Sequence, residues 1–339
     1  MIGLSPFERR SIHDRELRST AQELPAKPID RFFEMGSSDR DEDFDALSDR
    51  FPGRRRWVQG ARPRGKAKAR KVIMRGGTSS LGFPSASPEL EAFGLKFSSG
   101  GAHISRTMML RELAVVLGDV PQGSGAADYR EAILQRNVLG KTTDSTRQKS
   151  LRHLRELYAL DEAAPIFGLL RALYATDATS LPLLAVQVAW ARDPLLRATT
   201  QPIMDASEGD RVDTASLAEA LEAAFPNQYS ELNRNKIARN AASSWTQSGH
   251  LAGHTNKTRR RIKPTIAAVT AACFLGDIAG YHGAAVFSNP WCRLLDLNSN
   301  RAKAMGFEAH GAGLLNLRAV GEVVELSFPM LAEFRDRLP

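Results

Sequence analysis

Between Lys141 and Asp161 the chain reads KTTDSTRQKSLRHLRELYALD, and this stretch limits the possible fold more than any other. Thr142, Thr143, Asp144, Ser145 and Thr146 supply acceptors for the free N–H groups of a first helical turn. Leu151, Leu154, Leu157 and Tyr158 then recur at the spacing of one helical face. The remaining positions carry Arg147, Lys149, Arg152, His153 and Arg155. The pattern predicts a helix with an apolar seam inward, cations outward and a polar first turn suited to phosphate. A solvated basic helix has the same pattern, so reading it as a DNA-recognition helix depends on a second occurrence in the chain.

That second occurrence is NRNKIARNAASSWTQSG, from Asn233. Its seam is Ile237, Ala241 and Trp245, with Ala238 and Ala242 alongside. The outward positions hold Asn233, Arg234, Asn235, Lys236, Arg239, Asn240, Ser243 and Ser244. A helix SLAEALEAAF, capped by Thr214 or Ser216 and closed by Pro226, precedes it across a short turn. Ahead of the first basic helix, Ser105 opens a helix ending at Gly118, and a second helix spans about 126–135. Each half thus presents a helix, a turn and a basic helix, a helix-turn-helix order. After Gly249, HLAGHTNKTRRRIKP carries a cationic tip of Asn256, Lys257, Arg259, Arg260 and Arg261. It reads either as a β-wing or as a plain basic loop.

Further along, PTIAAVTAACFLG is apolar on all sides and predicts a buried helix. The alternation in LLNLRAVGEVVELSF predicts a closing β-hairpin turning at Gly321. The expected fold is mainly α with minor β: two helix-turn-helix or winged-helix-like units plus a C-terminal hairpin. The units are expected at 101–205 and 206–339, with a charged arm and a Gly/Ser/Pro linker over 1–100. Within the arm, acids between Asp39 and Asp49 give way to ten cations from Arg54 to Arg75. This block is either an electrostatic arm on nucleic acid or an extension ahead of a later start at Met74 or Met108.

The formal net charge of +8 and pI near 9.7 favour a polyanionic partner. No P-loop, dinucleotide glycine pattern, zinc-spaced cluster or nucleophile elbow is present in the sequence. Neither an enzyme nor a cofactor is therefore expected. His250 and His254 are four apart but bracketed by glycines, without a general base between them. Cys273 and Cys292 sit in apolar contexts and are expected reduced and buried, and Trp190 and Trp245 are expected in the core. The N-terminus lacks an apolar leader and no apolar run is long enough for a bilayer, so a cytoplasmic protein is expected.

Four segments resemble the BrxA family of BREX phage-defence systems. They are GGAHISRTMMLRELAVVL, NVLGKTTDSTRQKSLRHLRELYAL, NRNKIARNAASSWTQSGHLAG and LNLRAVGEVVELSF, spanning about Gly100 to Phe328. The resemblance implies paired helix-turn-helix or winged-helix units, non-enzymatic binding of double-stranded DNA, and work beside a BREX methyltransferase and other BREX proteins. The first hundred residues have no counterpart in it.

The chemistry of the two basic helices selects the contacts. In the first unit Lys141, Thr143, Ser145, Arg147, Lys149 and Arg152 are expected at DNA. In the second, Arg234, Asn235, Lys236, Arg239 and Asn240 are expected there, with Lys257, Arg259 and Arg260 from the tip. An operator-specific transcriptional regulator and a protein-interaction scaffold are the alternatives that these residues leave open.

Overall fold

Side-chain caps fix the starts of several helices. Thr143 accepts a hydrogen bond from Thr146 N, Ser230 from Asn233 N, Thr265 from Ala268 N and Asn298 from Arg301 N. The computed structural model describes residues 80–321 and 323–338. The acidic stretch, the basic arm and the start of the expected linker lie outside the described residues.

The element order is α1 (Pro88–Phe93), α2 (Leu110–Asp119), α3 (Ala126–Leu134), α4 (Asp144–Tyr158), α5 (Pro165–Thr176) and α6 (Leu181–Arg192). Next come α7 (Pro194–Ala198), α8 (Thr200–Asp205), α9 (Thr214–Ala224) and α10 (Glu231–Gln247). A short strand pair follows, β1 (Leu251–Ala252) and β2 (Thr258–Arg259), then α11 (Ile266–Ile278), α12 (Pro290–Leu294) and α13 (Ser299–Gly311). The hairpin β3 (Asn316–Val320) and β4 (Val323–Ser327) and the short α14 (Ala332–Asp336) close the chain. The fold is mainly α with minor β, and both strand pairs are antiparallel.

Burial on all sides of α6 and α11 makes these two helices the centre of the core. Trp190 on α6 meets Trp291 on α12 at 5.6 Å between ring centroids, and both indoles are fully buried. Phe83 stacks edge-on to Trp190 at 5.0 Å, with the Arg197 guanidinium 3.8 Å from its ring centroid. Residues 80–100 are therefore not a linker. Leu81, Phe83, Leu90, Phe93 and Leu95 are all buried, so the sparse apolar residues among Gly, Ser and Pro are anchors in the core. Residues 101–205 and 206–339 likewise share one compact unit. Trp245 of α10 donates to Thr199 Oγ1 at 2.9 Å, and the α10–α9 pair packs against α7 and α8.

Two start signals read differently in three dimensions. Ser105 ends a short 3₁₀ turn and hydrogen-bonds His153, while α2 begins at Leu110 after Met109 in the left-handed region at φ 53°. Asp213, not Thr214 or Ser216, precedes the first turn of α9.

Buried arginines meet the C-terminal ends of four of the helices. Arg171 donates to the Leu117 and Val120 carbonyls behind α2. Arg192 reaches the Arg155 and Glu156 carbonyls ending α4 and Gly94 O after α1. Arg197 donates to Trp190 O, Ala191 O and Lys96 O. Burial pulls Arg192 down to about 10 and Arg197 to about 9. Part of the chain's positive charge is thus spent on helix C-termini inside the protein.

Candidate nucleic-acid interface

The α10 helix forms because Ser230 caps its start and Gly249, at φ +85°, lets the chain leave after the Ser248 C-cap. Its seam residues Ile237, Ala238, Ala241, Ala242 and Trp245 are buried against the core. The turn from α9 holds Phe225 buried with its ring 6.1 Å from Tyr229. Arg234 locks the two helices together, bonding Glu222 Oε2 at 2.7 Å and Tyr229 O at 2.9 Å.

The opposite face of α10 is open. Leu232, Asn233, Asn235, Lys236 and Arg239 are all exposed, Leu232 at 77%. Their spacing of three and four residues sets Leu232, Asn235, Lys236 and Arg239 in one stripe. The sequence does not single out Leu232, because an isolated leucine at a helix start signals nothing by itself. Asn240 points elsewhere: its Nδ2 donates to His103 O at 2.9 Å, tying α10 to the segment before α2. Asn240 is a structural tie and is not among the exposed groups of α10, where the sequence placed it.

After α10, β1 and β2 pair Leu251 with Arg259 and Ala252 with Thr258. A third segment lines the other edge of β2. Arg211 bridges Thr258, Gly209 N donates to Arg259 O at 2.9 Å, Arg259 N to Asp210 O at 2.8 Å, and Val212 N to Lys257 O at 2.9 Å. The tip between the strands, residues 253–256, is exposed. Lys257 Nζ turns back to Thr246 Oγ1 at 2.9 Å and Gly253 O at 3.3 Å, and Arg260 is exposed. Arg259, expected at DNA, is not on the surface. Its side chain is fully buried, bonded to Asp296 Oδ1 at 2.5 Å and to the Arg260 carbonyl. It holds the strand pair to the loop before α13 and presents no charge to a surface ligand.

In the first unit α4 carries the expected seam, with Leu154, Leu157 and Tyr158 at 0% exposure. Thr143 and Ser145 are exposed at its start, where Thr143 and Thr146 bond each other reciprocally. Lys141 pairs with Glu112 at 3.1 Å, and the Asn137 side chain grips its backbone from both sides. Arg147 is half-buried, paired with Asp144 and donating to Leu134 O at 3.0 Å. It braces α4 against α3. Lys149 is half-buried, and Arg152 is exposed with Nη2 3.3 Å from His153 Nε2.

A buried array joins the two basic-helix units. His103 Nδ1 lies 2.7 Å from Asp193 Oδ2, and His103 Nε2 lies 2.8 Å from Ser244 Oγ. The order resembles a nucleophile, base and acid. Its members are 0%, 1% and 0% exposed, so a substrate has no access to the hydroxyl in this conformation. Ser244 also accepts from Met108 N at 2.8 Å and lies 3.0 Å from Asn240 O. Asp193 caps α7 through Leu195 N and Leu196 N. Burial pushes the Asp193 carboxyl up, but His103 beside it holds it below the ordinary carboxylate value.

His250 is sealed as well, with Ser248 Oγ at Nδ1 and Leu294 O at Nε2, both 2.8 Å away. His254 is exposed, so the two histidines of the HLAGH segment diverge. Among the described residues no group of His, Cys, Asp and Glu is placed to hold a metal ion. Cys273 and Cys292 are free thiols and buried, and the bond from Cys292, with burial, pushes the Cys273 thiol well up. No helix among the described residues is long and apolar enough to cross a membrane. No family model and no curated protein matches the chain.

Proposed function

We propose that this chain is a non-enzymatic DNA-binding protein that grips duplex DNA through α4 and α10, with α10 as the recognition helix of a winged-helix unit. The observation that carries the reading is the exposed stripe of Leu232, Asn235, Lys236 and Arg239 on a helix whose other face is rooted in the core. Arginine and asparagine are the side chains best suited to base edges in the major groove, lysine grips phosphate, and an apolar group meets the thymine methyl. The order α8, segment 209–212, α9, α10, β1, tip, β2 supports the winged-helix assignment, since the segment pairs with β2 and Lys257, at the base of the tip, reaches Thr246 of α10. The four BrxA-like segments support a place as an accessory protein in BREX-type defence, beside the methyltransferase. A role as an operator-specific regulator is the second reading, favoured by the base-reading groups of the α10 stripe.

A salt-titrated binding assay on duplex DNA tests it. The protein is expected to bind, with affinity falling steeply as salt rises. The Lys236→Glu/Arg239→Glu variant is expected to lose binding while melting at the same temperature, because both side chains are exposed. Unchanged binding by that variant would remove α10 from the interface. A strong preference for one sequence over random duplex would favour the regulator.

A further inference from the structure

An open groove of about 530 Å³ runs between α3 and α4, lined by Arg130, Leu134, Gln148, Leu151, Arg152 and Arg155. Gln148, Arg152 and Arg155 stand at i, i+4 and i+7 on α4, and Arg130 and Leu134 stand at i and i+4 on α3. All three arginines are exposed. None has a carboxylate within ion-pair distance among the described residues, whereas the neighbouring Lys141, Arg136 and Arg147 each have one. Cations in this part of the protein are therefore sorted: those that brace the fold are paired, and those facing the groove are not.

We infer that the α3–α4 groove is a phosphate-binding cleft that seats one strand of the nucleic-acid backbone, a specific role that rests on the DNA-binding reading above. Three guanidiniums around one hollow repel each other, and an incoming phosphate removes that repulsion. Guanidinium forks match phosphate oxygens in pairs, and the Gln148 amide adds a neutral donor. Leu151 is buried beneath and Leu134 half-buried, giving an apolar floor for the sugar attached to the phosphate. The groove is open to solvent, which suits a continuous backbone passing through it. Arg130 and Arg155 thereby join Arg152 at the DNA backbone, while Arg147, engaged with Asp144 and Leu134 O, does not.

The experiment compares the full chain with Arg130→Gln/Arg155→Gln, using two probes, random duplex DNA and inorganic pyrophosphate, and checks both proteins by thermal melting. For duplex DNA the salt dependence of log K is expected to become shallower by about 0.9 for each phosphate that the variant no longer neutralises. Pyrophosphate binding, read by calorimetry, is expected to weaken at least tenfold. An unchanged salt slope with unchanged pyrophosphate binding overturns the groove and leaves DNA binding through α10 standing. A wild-type protein that binds pyrophosphate in an arginine-dependent way but ignores DNA makes the groove a free-phosphate site and overturns the DNA-binding reading instead. Binding of neither probe by the wild type overturns both.

Discussion

Arg259 Nη2 lies 2.5 Å from Asp296 Oδ1, a fully buried guanidinium against a carboxylate that is itself 4% exposed. Asp296 gathers further donors, Arg261 Nη1 at 2.7 Å and Ile262 N at 3.2 Å. One carboxylate therefore directs the chain as it leaves β2. Removing it strands the Arg259 charge in the interior, where an uncompensated ion is costly. Asp296→Ala is expected to lower stability by about 3–5 kcal/mol, measured by urea unfolding. Arg259→Met/Asp296→Leu, which removes both charges, is expected to be clearly milder. Equal losses in the two would mean that packing, and not the stranded charge, sets the cost.

The His103–Asp193–Ser244 array is expected to behave as a clasp. Asp193→Ala removes partners of the His103 ring and backbone and uncaps α7, at a cost on the order of 3 kcal/mol. Ser244→Ala removes one hydroxyl and is expected to cost about 1 kcal/mol. Gly101 approaches the Asp193 carboxylate so closely that a Cβ there would collide with it. Gly101→Ala should thus resemble Asp193→Ala in thermal melting, although the extended Gly101 backbone, at φ 161°, suits any residue. A silent Gly101→Ala would show that the clasp can move aside.

How much was legible follows from the range of each signal. The α4 and α10 seams, the buried α11 and the β3–β4 hairpin turning at Gly321 are set by local periodicity and caps, and they stand where the pattern put them. Phe83 is different. It lies among Gly, Ser and Pro, and Trp190, Trp291 and Arg197, all distant in sequence, pack around it in the core. The cations divide in the same way. Arg259 and Arg239 carry the same charge in basic contexts, but Asp296, 37 residues further on, draws one inside. The destination of an arginine depends on partners that no local pattern specifies, so Arg130 and Arg155 gained significance only when α3 and α4 packed together.

Stability should decline with mild acid because of His250. Burial depresses its folded-state pKa to about 4, below the ordinary value near 6.5. Its neutral ring donates from Nε2 to Leu294 O and faces Ser248 at Nδ1. A base held neutral on folding contributes fully above the unfolded value and loses that contribution as pH falls from 6.5 toward 4. The loss is on the order of 3 kcal/mol at about 1.4 kcal/mol per unit. His250→Gln is expected to be less stable near neutral pH but to show a flatter fall between pH 6.5 and 4. A variant whose melting temperature falls as steeply as that of the wild type would assign the acid sensitivity to other groups.

Two asparagines five residues apart on α10 give the sharpest separation of roles. Asn235 is exposed on the stripe with Lys236 and Arg239, while Asn240 bonds the His103 carbonyl across the clasp. Asn240→Ala leaves that carbonyl without its amide donor and is expected to cost about 1 kcal/mol in unfolding, with the salt slope of DNA binding unchanged. Asn235→Ala removes no side-chain hydrogen bond among the described residues and is expected to leave the melting temperature alone. On the proposed reading it weakens binding to a preferred duplex by roughly 1–3 kcal/mol and leaves random duplex nearly unaffected, since base contacts specify and phosphate contacts position. Measuring both variants on both duplexes at one salt concentration gives the answer. If Asn235→Ala weakens random and preferred duplex equally, α10 grips the backbone, and the accessory-protein reading gains over the operator-specific regulator.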